Sequence, residues 1–282
     1  LAWAAATDAL PLAVVGMGLL CRDNPTPVVM ASMWLFWVWM ATVLPRLAFY
    51  AFNFFGLRRT GLAAAAAVFA ALVIGVTAGR TSLRVSRTEV CSPALPATFD
   101  GLRIVQLSDI HLGTIVSPGR ELTRLADRVN ALRPDLVLFT GDLVNIRASE
   151  LDSTAVRLLR RIEAPVYSVT GNHDVGKYIK DSLRHPAAES LREVIARQRA
   201  MGWRVLDDET VYLRRGGDSI ALTGLSFDPA LSEQRHDRHL PATGLRRAFA
   251  GVPQGLYSIV LAHVPQLWEQ ITAAGYGDLT LS

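Results

Sequence analysis

Apolar residues fall along this chain in two regimes. From residue 1 to 79 they run in long uncharged stretches, and from residue 80 onward they come in short bursts between polar segments. Val28 to Leu44 carries no charge and is dense in Trp34, Phe36, Trp37 and Trp39, and apolar character resumes after Pro45-Arg46 through Phe55. Gly61 to Gly79 is a second uncharged run, rich in Ala, close to the roughly 20 residues a bilayer requires. Both predict membrane helices. Leu1 to Leu20 is a weaker third candidate because Asp8 interrupts it. The tryptophan cluster reads as lipid packing or an interfacial belt rather than a ligand cage, since Trp is enriched at that depth. A cleavable signal peptide fits poorly, because the apolar segments are several and none is followed by a small-residue cleavage site.

The bursts in the second regime are Leu102 to Leu107, Leu136 to Phe139, Val166 to Val169 and Tyr257 to Leu261. Runs of about 4 to 6 residues rich in Val, Ile and Leu predict strands of a sheet covered on both faces. Between them the period lengthens to that of helices. Ser117-Pro118 opens one as N-cap and first residue, with Leu122, Leu125, Val129 and Leu132 as its apolar stripe and Arg133-Pro134 as its end. A second is expected near Glu150 to Ile162, with Leu151, Val156, Leu159 and Ile162 inward, and a third near Ala187 to Met201, stopped by Gly202. Three short strands follow, at Arg204 to Leu206, Val211 to Leu213 and Ser219 to Leu222, with a hairpin signal at Arg215-Gly216-Gly217-Asp218.

Behind each of the four bursts stands a side chain that binds metals. The stretches are Ser-Asp-Ile-His at 108 to 111, Thr-Gly-Asp at 140 to 142, Thr-Gly-Asn-His-Asp at 170 to 174, and Ala-His at 262 to 263. In open α/β sheets the crevice beyond the carboxyl ends of the strands is where ligands bind, so four such ends can converge on one site. Asp109, His111, Asp142, Asn172 and His263 offer two carboxylates, two imidazoles and an amide oxygen, with no Cys nearby. Mixed nitrogen and oxygen donors favour Mn, Fe or Zn over a thiolate zinc site. Side chains two apart on an extended strand share a face, so Asp109 and His111 can grip one ion. Asp142 has two oxygens to bridge two ions, with Asn172 and His263 on the second. Taken singly, each motif is more often a turn or a structural histidine. It is the set in order that carries weight.

In that order the blocks resemble the calcineurin-like metallophosphoesterase family, whose pattern is Asp-x-His, Gly-Asp, Gly-Asn-His-Asp/Glu, a lone His and Gly-His-x-His. The resemblance spans about Gly101 to Ser282 and covers the first four blocks. It implies an α/β fold, a sandwich of two mixed β-sheets flanked by helices, here preceded by transmembrane helices. It implies a hydrolase that cleaves a phosphoester or pyrophosphate with two divalent cations and a metal-bridging hydroxide. Asp109, His111 and Asp142 would hold the first ion, and Asp142, Asn172 and His263 the second. His173 resembles the family's histidine that protonates the leaving oxygen, and Asp174 is expected to orient its ring. The Gly-His-x-His block is expected beyond Ser282, on the strand that Asp278 to Ser282 begins, so this piece should bind metal weakly and hydrolyse little.

The expected organisation is a membrane region at 1 to 79, a linker at 80 to 100, basic first and then punctuated by proline, and the metallophosphoesterase domain at 101 to 282. With three spans, Arg22, Arg80, Arg84 and Arg87 fall on one side against Arg46, Arg58 and Arg59, which leans the catalytic domain towards the cytoplasm of an inner or plasma membrane. A phosphoester partner linked to lipid follows by analogy with family members that split nucleotide-activated lipid sugars. A net charge of +4 without an aromatic-interleaved basic stripe does not indicate nucleic acid. Cys21 and Cys91 have no spaced partners, so neither a disulfide framework nor a thiol metal site is implied. The polar stretch Ser226 to Leu245, with Asp228, His236, Asp237 and His239, reads as a surface loop beside the site. Two other classes fit the same residues: a scaffold that has lost ligands on this fold, and a membrane sensor or transporter that the domain regulates.

Overall fold

Leu136–Phe139 forms a strand (β2) whose side chains feed two different cores. Val137 and Phe139 join one hydrophobic cluster, Leu136 and Leu138 another, as the two-residue period of a strand requires. All four are buried, which is why the run carries no polar residue. In the computed structural model, residues 6 to 227 and 243 to 282 are described, and the chain divides into two units, Leu1–Ser86 and Arg87–Ser282. The stretch containing Asp228, His236, Asp237 and His239 lies outside the described residues.

The second unit is α/β with two sheets of four strands each. One runs β1 (Ile104–Leu107), β2, β3 (Val166–Ser168) and β4 (Arg204–Val205), and every pairing in it is parallel. The other runs β5 (Glu209–Arg215), β6 (Asp218–Leu225), β7 (Ser258–Ala262) and β8 (Leu279–Leu281). Here β5 and β6 are antiparallel and the remaining pairs parallel, so the second sheet alone is mixed among the described residues. Leu138, Val169, Leu206, Ile220, Leu222, Ile259 and Leu261 fill the space between the sheets. On the outer face of the first sheet Leu122, Ala126 and Val129 of one helix (Pro118–Ala131) and Val194 of another (Ala187–Ala200) join Val137 and Phe139. The outer face of the second sheet packs Ala221, Val260 and Ala262 against Leu245, Phe249 and Ile271. Phe99, within the stretch read as linker, is only 2% exposed and belongs to the core between the sheets.

The helix expected at Glu150 to Ile162 is shorter, Ser153–Leu159. Asp152 sets its later start by accepting the Ala155 N–H at 2.8 Å as the N-cap. Glu150 is used elsewhere, its carboxylate accepting the N–H groups of Gly113, Asn145 and Ile146. The hairpin signal is realised between β5 and β6, where Gly216 and Gly217 take φ of +56 and +96, which a residue with Cβ adopts only at a cost.

In the first unit two helices, Thr26–Asn53 and Arg58–Gly79, are long and apolar enough to cross a bilayer. The first continues through Pro45. A proline removes one intrahelical N–H without stopping a helix whose neighbour supports it. That neighbour approaches closely: a Cβ on Gly61 would stand 2.8 Å from the Phe49 carbonyl oxygen. Asp8 forms an ion pair with Arg46, so the charge that interrupts Leu1 to Leu20 meets an opposite one. The chain is therefore a membrane-associated protein, and it is expected to sediment with membranes and need detergent, whereas protein starting near Ser86 stays in the soluble fraction. Recovery of the whole chain without detergent would remove the anchor.

Candidate metal centre

All six residues singled out in the sequence meet at the carboxyl ends of β1, β2, β3 and β7. Asp109 and His111 follow β1, but not in extended conformation, since their φ angles are +54 and +45. Left-handed backbone is unfavourable for residues with Cβ and persists where surroundings over-determine it. Here three main-chain bonds do so: Asp109 N–H to Gly141 O at 3.0 Å, His111 N–H to Asp142 O at 3.1 Å and Leu112 N–H to Leu143 O at 3.0 Å. Asp109 Oδ1 and His111 Nε2 end 3.4 Å apart. The shared reach expected from strand alternation thus arises by another backbone route.

Asp142 stands at the centre, its side chain 4% exposed. Its Oδ2 lies 3.6 Å from His111 Nε2, 3.4 Å from His263 Nε2 and 4.0 Å from His173 Nε2, and its Oδ1 accepts the His173 N–H at 2.8 Å. Potential donor atoms form two groups, His111, Asp142 and His173 in one and Asp109, Asp142 and His263 in the other, each within 4.8 Å. Asp142 belongs to both. His173, expected apart from the ligands, is as close to Asp142 as a ligand would be.

The two glycines before these aspartate and asparagine side chains are there for closeness. A Cβ on Gly171 would meet Asp142 Oδ1 at 2.2 Å, and one on Gly141, whose φ is +108, would meet Gly171 N and His263 Nδ1 at 2.8 Å. Gly171→Ala is expected to push the Asp142 carboxylate out of place and to cost about 1 to 3 kcal/mol, the usual penalty for overpacking. Denaturant unfolding together with metal titration checks this, and an alanine variant matching the native protein in both would contradict the packing argument.

Asp174 is fully buried and accepts four main-chain N–H groups, those of Asp142, Leu143, Val144 and Gly171, at 2.9 to 3.1 Å. It does not orient His173, contrary to the sequence expectation. Neighbours in a turn point in different directions, and the carboxylate turns inward to bind the Asp142 loop. Burial pushes its carboxyl up to about 6, against the amides of Gly171 and Val144 that favour the charged form. The His173 ring is instead held by the Asn145 carbonyl, 2.5 Å from Nδ1.

A carbonyl accepts only, so His173 Nδ1 carries a proton, and so does His263 Nδ1, 2.9 Å from the Thr140 carbonyl. His263 Nε2 then faces Asp142 Oδ2 and, at 2.8 Å, Asn172 Oδ1. Two oxygens directed at one ring nitrogen call for positive charge there, either a proton on the ring or a metal ion. Burial alone would lower the His263 value, but the hydrogen bond and charge of Asp142 outweigh it and raise it. Burial likewise opposes ionisation of Asp142, and its bonds to His263 and the His173 N–H, with the charges of both rings, hold its carboxyl below the usual value. Among the described residues no Lys or Arg pairs with Asp109 or Asp142. The donor set therefore fits divalent cations, with imidazole tautomers set by carbonyls as at metal sites.

The description "calcineurin-like phosphoesterase" belongs to a family model that matches residues 102–278, well over half of the chain. The chain belongs to that family. Calcineurin-like phosphoesterases typically use divalent metals, in keeping with the Asp and His cluster. Among curated relatives, a transmembrane protein with metallophosphoesterase domain from Danio rerio is 39% identical over 103 residues, 36% of this chain and 23% of that protein. UDP-2,3-diacylglucosamine pyrophosphatase LpxG of Chlamydia muridarum is 31% identical over 117 residues, 41% of this chain and 35% of the enzyme. Metallophosphoesterase YkuE of Bacillus subtilis is 37% identical over 90 residues, 31% of each chain. The matched stretches thus span about a quarter to a third of these relatives. Among solved structures, the phosphopantetheinyl hydrolase PptH of Mycobacterium tuberculosis aligns over 61% of this chain and 71% of its own, with 17% identity and a TM-score of 0.39.

Two residues that support the phosphoesterase site had no sequence signal. Glu150 ties the loop after His111 to the loop after Asp142 through Gly113, Asn145 and Ile146. Tyr178 touches both Asn172 and His173. Neither sits in a motif, and only the folded chain brings them to the site.

Proposed function

We propose that this chain is the membrane-anchored, multi-pass part of a binuclear metal-dependent phosphoesterase that cleaves a lipid-linked phosphoester or pyrophosphate. The observation that supports the reading is the position of Asp142 Oδ2, 3.6 Å from the His111 imidazole nitrogen and 3.4 Å from that of His263, within reach of both. Asp109, His111 and Asp142 would hold one ion, and Asp142, Asn172 and His263 the other, with Mn, Fe or Zn suited to these donors. The ions, when bound, supply Lewis acidity towards phosphate oxygens and lower the pKa of water.

The protein's own groups supply the rest. The Asn145 carbonyl keeps a proton on His173 Nδ1, so Nε2 is the atom that faces the reacting centre; a second proton taken up there, making the ring an imidazolium, is the one it would pass to the departing oxygen, leaving the neutral ring with Nδ1 still bonded to Asn145. Asp174 holds the Asp142 loop by its main chain, leaving the Asp142 carboxylate directed at the donors. The lipid-linked substrate is supported by the apolar helices Thr26–Asn53 and Arg58–Gly79 and by the name of the LpxG relative. Arg22, Arg80, Arg84 and Arg87 against Arg46, Arg58 and Arg59 lean the catalytic domain towards the cytoplasmic side. The deciding experiment is hydrolysis by the full-length protein in detergent, with and without Mn, of bis-nitrophenyl phosphate and of UDP-2,3-diacylglucosamine. Metal-dependent turnover of the lipid-linked pyrophosphate supports the proposal; no metal-dependent turnover of either compound would overturn it.

A further inference from the structure

Tyr178 lies six residues beyond Asn172 and meets Asn172 and His173 in different ways. Its hydroxyl accepts a hydrogen bond from Asn172 Nδ2 at 2.9 Å. Its ring stacks on the His173 imidazole, with centroids 4.2 Å apart and planes 30° from parallel. The opposite requirement is visible at the other end of the amide, where Asn172 Oδ1 is 2.8 Å from His263 Nε2. The two ends of a carboxamide are nearly the same size, so rotation by half a turn would present NH2 to the site in place of oxygen. An NH2 group cannot bind a cation. The phenol can accept from Nδ2 or donate to an oxygen, so it does not choose between the two rotamers; what its bond at 2.9 Å fixes is the plane of the amide, and the cation facing the other end selects oxygen. The His173 ring, for its part, also meets the His111 ring in a T-shaped contact, with centroids 4.5 Å apart and an interplanar angle of 84°. With Nδ1 bound to Asn145, the stacked face removes the remaining freedom of the ring to swing about that bond.

We propose that Tyr178 is a positioning residue for both halves of the site: its hydroxyl holds the plane of the Asn172 amide so that one end stays directed at the second cation, and its ring keeps His173 Nε2 aimed at the leaving oxygen. This rests on the phosphoesterase reading above. The two contacts come from separate parts of one side chain and can be removed separately. Tyr178→Phe deletes the hydroxyl and retains the stack. Tyr178→Leu deletes both.

The test uses the full-length protein in detergent, with Mn titration followed by calorimetry and turnover measured at saturating Mn on a nitrophenyl and an alkyl phosphoester. In Tyr178→Phe, Mn affinity is expected to fall about 10- to 100-fold, the usual effect of losing a group that orients a ligand. At saturating Mn its ratio of kcat between the two esters stays near that of the native protein, because the stack on His173 is retained. In Tyr178→Leu, affinity falls as far, and kcat additionally drops on the alkyl ester by at least tenfold more than on the nitrophenyl ester, because only the former needs protonation. A general structural defect would lower both esters alike and is excluded by that split. Unchanged Mn affinity in Tyr178→Phe overturns the amide role, and an equal loss on both esters in Tyr178→Leu overturns the imidazole role. Should Tyr178→Leu fail to fold, the nearly isosteric Tyr178→Phe still decides the first role, and Tyr178→Met, which removes the ring while keeping much of the volume, decides the second by the same split between the esters. Native protein that binds Mn but hydrolyses neither ester would instead sink the hydrolase reading, leaving the affinity measurement to judge the amide role.

Discussion

Asp142→Asn in the full-length protein is expected to lose metal and activity together. The substitution preserves shape and can preserve the acceptor for the His173 N–H, which Oδ1 receives at 2.8 Å. What it changes is Oδ2. An NH2 group there faces the ring nitrogens of His111, His263 and His173 at 3.6, 3.4 and 4.0 Å and can offer no lone pair to a cation. The charge between two sets of donors disappears as well. Loss of a ligand common to both should exceed the roughly 10- to 100-fold drop in affinity seen when only an outer partner is removed. Lewis-acid stabilisation is worth several kcal/mol, so a fall in kcat on the order of 10³ is expected. Metal content by elemental analysis and turnover of the two esters measure both effects. An asparagine variant with its full metal complement and native rate would show that Asp142 is not the shared ligand.

His173→Ala is expected to behave in the opposite way, retaining metal while chemistry slows. General-acid help is typically worth about 10² to 10⁴ in rate. That loss should appear in full on an alkyl ester, whose leaving oxygen is a strong base, and scarcely at all on a nitrophenyl ester. The Asn145 carbonyl supports this role by holding the ring through Nδ1. Its nearness to His111 and Asp142 makes the metal measurement decisive. A variant stripped of metal would make His173 a ligand, and equal slowing of both esters with metal retained would make it a phosphate-positioning group.

The elements that could be read along the chain are those whose cause is local. Leu136–Phe139 is the predicted strand to the residue, because a run buried on both faces has no polar position to blur its ends. The helix Ala187–Ala200 ends before Gly202, whose φ of +87 is the stop the glycine announced. The apolar helices follow from their length and lack of charge. Motif order placed Asp109, His111, Asp142, Asn172, His173 and His263 together, since each follows a strand and strand ends gather at one edge of a sheet.

Only the tertiary structure decided what depends on partners far apart. The short strands β4 and β5 are separated by three residues yet belong to different sheets, a choice made by which neighbouring edge each could pair with. The left-handed backbone at Asp109 and His111 is imposed by the loop after β2, and no property of either residue predicts it. Asp174 binds main-chain amides about 30 residues back in the chain, including that of Asp142, instead of the histidine beside it, because a buried carboxylate goes where unpaired donors are concentrated. His263 receives its tautomer from the Thr140 carbonyl, 123 positions away, and its charged neighbour from Asp142. Residue type and spacing could name the candidate donors that the fold brings together. Which atom each presents is set by hydrogen bonds that exist only once the two sheets have packed.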